Sequence, residues 1–132
     1  MGIELFERVV HGSGQLLGAE VCLLGGRTHE VGALVLTFDV GRIAVRVEPR
    51  SQSLGIEFVA SPEQVPTGLE AAREEEPWWR VIGSPLVAAW AGGPGHETAV
   101  CLQFRAADQS PRVICVEPRG GSVAIRLETS AD

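Results

Sequence analysis

The stretch Val47-Glu48-Pro49-Arg50, followed by Ser53-Leu54 and Ile56, recurs as Val116-Glu117-Pro118-Arg119, followed by Ser122-Val123 and Ile125. Outward from it, Gly18, Gly25-Gly26, His29-Glu30, Leu36 and Phe38 recur in order as Gly83, Gly92-Gly93, His96-Glu97, Leu102 and Phe104. Length differences between the copies fall where loops belong. An ordered series of this kind predicts two copies of one supersecondary unit, residues 1–60 and 61–132. A chain of 132 residues is long enough for one hydrophobic core and short for two, so a single domain is expected.

Each copy is expected to open on a helix. In the first, Ile3, Phe6, Val9 and Val10 fall at helical spacing, and the pattern stops at Gly12-Ser13-Gly14. In the second, residues 69–76 are rich in good helix formers and Pro77 ends them. Period-two alternation comes next. Leu34, Leu36 and Phe38 share a face, as do Val100, Leu102 and Phe104. Val45 and Val47 oppose Arg46 and Glu48, and Ile114 and Val116 oppose Cys115 and Glu117. Leu54, Ile56 and Phe58 oppose Gly55 and Glu57, and Val123, Ile125 and Leu127 oppose Ala124 and Arg126. Such alternation marks antiparallel strands with one buried face. The more uniformly apolar runs at 19–24 and 85–90 read as first strands, central or covered on both faces. Short connections such as Asp39-Val40-Gly41 force antiparallel neighbours. The expected fold is therefore α+β and mostly antiparallel: two tandem helix-plus-four-strand units related by a pseudo-twofold axis, packed as a sandwich or closed into a barrel.

Composition bounds the function. Hydrophobic residues are 45% and charged residues 21%, as in a globular chain, and the formal net charge is −6. An acidic chain lacks the basic face that phosphate contacts need, which argues against nucleic acid and suits a basic protein partner. No stretch reaches the length of a membrane span. The first residues lack the basic-then-apolar order of a secretory signal, and Phe6 stands where a myristoylation motif needs Ser or Thr. The three cysteines, Cys22, Cys101 and Cys115, are odd in number and lack metal-ligand spacing, which points to the reducing cytoplasm.

Four sets of residues invite chemistry. Glu48, Arg50, Glu117 and Arg119 would line a cleft if both Glu-Pro-Arg segments met at the symmetry axis, and could there bind an anion or do acid–base work. The plainer reading, a duplicated turn with surface ion pairs, is favoured. His29-Glu30 and His96-Glu97 could offer metal ligands, but neighbours on a strand point to opposite faces, so solvated hairpins are expected and no metal or cofactor. His11 has no recognisable partner and reads as a loop histidine. Cys101 and Cys115 lie opposite one another if their hairpin is centred near Asp108, and could bond under oxidation; two small buried residues are the plainer reading. Trp78 and Trp79 break the symmetry, since the first copy has Gln15-Leu16 near that place. One indole is expected in the core, and the other, if exposed, would anchor a protein partner. Ser13 lacks the context of a nucleophile elbow, and no catalytic residue is assigned.

The run Trp79-Arg80-Val81-Ile82-Gly83-Ser84-Pro85-Leu86, with Trp90, a glycine-rich loop and then residues 99–104, resembles a family of small uncharacterised bacterial proteins. The resemblance covers residues 78–127. It implies an immunity protein that binds and blocks a toxin. Gly95-His96-Glu97 departs from the Gly-aromatic-x-Asp turn of that pattern, and no functional residue is carried over. Three functions stand as expectations. The first is a non-catalytic protein-binding module, an immunity or inhibitor protein. The second is a ligand-binding domain or small enzyme using the Glu/Arg cleft. The third is a homodimer pairing through the face of Cys22, Cys101 and Cys115 or the edge of Trp78 and Trp79.

Overall fold

A computed structural model describes residues 3–23, 31–48, 50–51, 53–61, 68–75, 77–92, 99–105, 111–119 and 121–128. Among them the chain forms one α-helix, α1 (Ile3–His11), and nine strands. These are β1 (Leu16–Leu23), β2 (Val31–Phe38), β3 (Gly41–Val47), β4 (Leu54–Phe58), β5 (Leu69–Ala71), β6 (Leu86–Ala91), β7 (Val100–Arg105), β8 (Pro111–Arg119) and β9 (Ser122–Glu128). Every pairing is antiparallel, and β1–β4 and β6–β9 are each a meander. The two join where Val31 of β2 pairs with Val123 of β9, giving one sheet curled into a half-barrel. At the opposite seam Gln15 bridges Pro85, and Leu16 N–H donates to the Ser84 carbonyl at 3.0 Å.

The alternating residues face inward as their period requires. Leu34 and Leu36 of β2, Val45 of β3, Ile56 of β4, Val100 and Leu102 of β7 and Val116 of β8 surround an apolar gap closed by Phe6 of α1. A nine-residue helix is marginal alone. Phe6 and Val9, both fully enclosed, fasten α1 to this core, and each such burial contributes roughly 1.5–3 kcal/mol. Glu4 in its first turn and Arg8 with His11 in its last agree with the helix dipole, so His11 belongs to the helix end and not to a loop.

The sheet departs from the expected α+β pair of units in four ways. The first is that the helix expected over residues 69–76 is not formed: its described residues, 69–75, contain no helical residue. Leu69, Glu70 and Ala71 instead pair with Cys22, Val21 and Glu20, using the second edge of β1. Ala72 N–H continues the contact by donating to the Ala19 carbonyl at 2.8 Å. A stretch rich in Glu, Ala and Arg but without an apolar stripe has only propensity to hold a helix, and a ladder on an open edge outweighs it. The fold is accordingly mostly antiparallel β.

The second departure concerns the last hairpin. Val47 pairs with Leu54, so strict repetition would set Val116 opposite Val123; Val116 instead pairs with Ile125. The cause is turn chemistry. Only Gly120 and Gly121 separate the last pair, Arg119 and Ser122, and Gly121 takes φ +91°, a conformation natural for glycine and strained for other residues. In the first meander Glu48 N–H donates to the Ser53 carbonyl at 2.7 Å, with residues 49–52 between them.

Third, proline lacks the N–H that a ladder uses and would be expected to end one, yet Pro118 lies within β8, opposite Val123. Pairing of β8 with β7 stops at Val116, so the missing proline N–H faces a side where no strand pairs among the described residues. Pro49, like both His-Glu pairs, lies outside the described residues. Fourth, Gly18 and Gly83 are not equivalent. Gly18 sits in β1 opposite Thr37, while Gly83 precedes β6. The bulges do coincide: each comes directly after a leucine paired with a phenylalanine, Leu16 with Phe38 and Leu86 with Phe104.

Candidate functional site

Pro77 opens a 3-10 turn, Trp78–Arg80, closed by Val81 N–H and Ile82 N–H donating to the Trp78 carbonyl at 2.9 and 3.0 Å. At about three residues per turn, neighbouring side chains point roughly a third of a circle apart. Trp78 therefore enters the core with 1% exposure, while Trp79 is 51% exposed. Of the two candidate anchors, Trp78 is thus the core indole, among the largest fully buried side chains, and is withdrawn from the partner-binding set. Trp79 borders an open hollow of about 700 Å³ with Arg73, Glu74 and Ile82. The Arg80 guanidinium stands 4.7 Å from the centroid of the Trp79 ring, holding the exposed indole in place by a cation–π contact. Sequence reading missed Arg73, Glu74 and Ile82 as members of this site because it placed the first two on a helix.

The two Glu-Pro-Arg segments are built differently. Glu117, its side chain 16% exposed, accepts from Arg126 at 3.2 Å and stands 3.6 Å from Arg119. Its carboxylate is thus already engaged by two guanidinium groups. Arg126 was missed as its partner, for the diagonal contact depends on the register of β8 with β9. Glu48 and Arg50 are exposed, and the Glu48 side chain lies over Gly55 of β4, where it fills the space a Cβ would take. Neither the apolar gap beneath α1 nor the Trp79 hollow is lined by Glu48, Arg50, Glu117 or Arg119.

Other charges on the outer face are also paired. Arg42 of β3 reaches Glu20 of β1 at 2.9 Å, passing over β2 near Val35, which is fully buried although it points outward. Arg46 of β3 pairs diagonally with Glu57 of β4. On the second meander Trp90, Cys101, Cys115 and Arg126 form one cross-strand row. The expected outward placing of both cysteines holds, yet both are buried, flanked by the long side chains of Trp90 and Arg126. Among the described residues no three His, Cys, Asp or Glu side chains cluster as metal ligands, and no helix is long and apolar enough to cross a membrane.

Comparison with protein-family models, curated proteins and solved structures found no match.

Proposed function

We propose that this chain is a non-catalytic protein-binding module, an immunity-type inhibitor of a bacterial toxin or enzyme acting in the cytoplasm, and that it grips its partner with Trp79. The observation that carries the reading is the half-exposed indole held by Arg80 at the rim of an open hollow, beside a second indole that anchors the turn in the core. A rigid, exposed Trp next to an Arg is the composition that dominates protein interfaces. The net charge of −6 favours a basic partner and speeds encounter with it. The Glu/Arg cleft alternative loses support because the Glu117 carboxylate already occupies the Arg119 and Arg126 guanidinium groups that an anion would need.

The test has two stages. Immobilised protein, challenged with a lysate of its native host, should retain one dominant basic protein. The purified pair should then weaken by about 2 kcal/mol, roughly 30-fold in Kd, on Trp79→Ala, with unchanged circular dichroism. Retention of nothing at any ionic strength counts against a binding module. Equal affinity of wild type and Trp79→Ala removes the tryptophan from the interface.

A further inference from the structure

We propose that Cys101 and Cys115 are a redox couple that closes to a cross-strand disulfide when the protein meets a hydroperoxide. The two residues are direct partners in the β7–β8 ladder. Residues facing one another across an antiparallel pair have Cα atoms about 4.5–5.5 Å apart, within the roughly 4.4–6.8 Å that a disulfide spans. Their sulfurs approach to 2.8 Å, about 0.8 Å beyond a covalent S–S bond of roughly 2.05 Å. The bond can therefore form with little movement of either strand. Cys22 stands apart from this couple: its ladder partners are Ala33 and Leu69.

Burial orders the chemistry. Cys101 is 5% exposed and Cys115 fully enclosed, so a small oxidant reaches Cys101 first. The Cys101 sulfur attacks one oxygen of hydrogen peroxide, the O–O bond breaks, and a sulfenic acid and one water result. The Cys115 sulfur then attacks the sulfenic sulfur. The S–S bond forms, the S–O bond breaks, and the hydroxyl leaves as a second water with the Cys115 proton. Two thiols have lost two electrons to one peroxide. A dithiol reductant reverses the change by thiol–disulfide exchange. The new bond staples β7 to β8 in the row that carries exposed Trp90 at one end and the Glu117-bound Arg126 at the other, so this face of the sheet reports the thiol state.

The experiment treats the full chain with hydrogen peroxide, then denatures it and counts thiols. The three thiols should fall to one, the intact mass should drop by about 2 Da, and a peptide linking residues 101 and 115 should appear. The melting temperature should rise on the order of 10 °C and return with dithiothreitol. Cys22→Ser should behave as wild type, its two thiols falling to none, while Cys101→Ser and Cys115→Ser should show no 2 Da loss. If either of those variants fails to fold, Cys22→Ser carries the test alone. Three surviving thiols, oxygen added without the 2 Da loss, or a linkage through Cys22 overturns the proposal.

Discussion

Replacing Trp78 by alanine should destabilise this protein far more than replacing its neighbour Trp79. Trp78 is 1% exposed and belongs to the same core as Val81, Leu86 and Phe104. Truncating a fully buried indole costs about 3–5 kcal/mol, a large part of the roughly 5–15 kcal/mol by which such a domain is stable. Trp79, half in water, loses little besides its contact with Arg80, worth about 0.5–1 kcal/mol at an exposed site. With a urea dependence of about 2 kcal/mol per molar, the midpoint should fall by roughly 2 M for Trp78→Ala and by no more than about 0.5 M for Trp79→Ala. Urea melts monitored by far-ultraviolet circular dichroism read both values. Equal losses for the two variants, or a larger one for Trp79→Ala, would refute the account of the 3-10 turn.

Three further experiments probe the frame around the site. Gly14→Ala would place a Cβ 2.6 Å from Val9 Cγ1 and 3.0 Å from Val40 Cγ2; the α1–β1 junction should lose about 1–3 kcal/mol, and a melting temperature equal to wild type would show that the junction yields freely. Gly121→Val forces a β-branched residue to φ +91°, at a cost of about 1–2 kcal/mol, so amides of β9 should exchange faster than those of β2. Unchanged exchange in β9 would mean the Gly-Gly turn does not set that hairpin. A double-mutant cycle joining Glu117→Gln with Arg126→Met should give a coupling of about 0.5–1 kcal/mol, larger than the cycle for the more exposed Glu20 and Arg42 pair; the reverse ranking would contradict the enclosed placing of Glu117.

Much of this architecture was legible where one physical rule acted alone. Leu34, Leu36 and Phe38 read as one strand face because a pleated backbone turns alternate side chains the same way, and they do face the core. Centring a hairpin near Asp108 was enough to set Cys101 against Cys115, since register comes from counting along two strands. Prediction failed where two rules competed. Residues 69–76 have helix propensity, but the edge of β1 offered a ladder, and tertiary pairing prevailed. Identical Glu-Pro-Arg segments pair differently because the residues after them differ: Ser51-Gln52 in one, Gly120-Gly121 in the other. Which of two adjacent tryptophans faces inward depends on the rotation of a single turn after Pro77, and composition carries no signal for that. The Arg73, Glu74 and Ile82 lining of the hollow was hidden for the same reason, since it exists only once the expected helix is replaced by a strand and a turn.

The two meanders share one core but pair their last strands two residues out of step. Cross-strand nuclear Overhauser contacts between backbone protons test it directly. Val47 should lie beside Leu54 in the first meander, and Val116 beside Ile125 with Pro118 beside Val123 in the second. Contacts placing Val116 beside Val123 would contradict it.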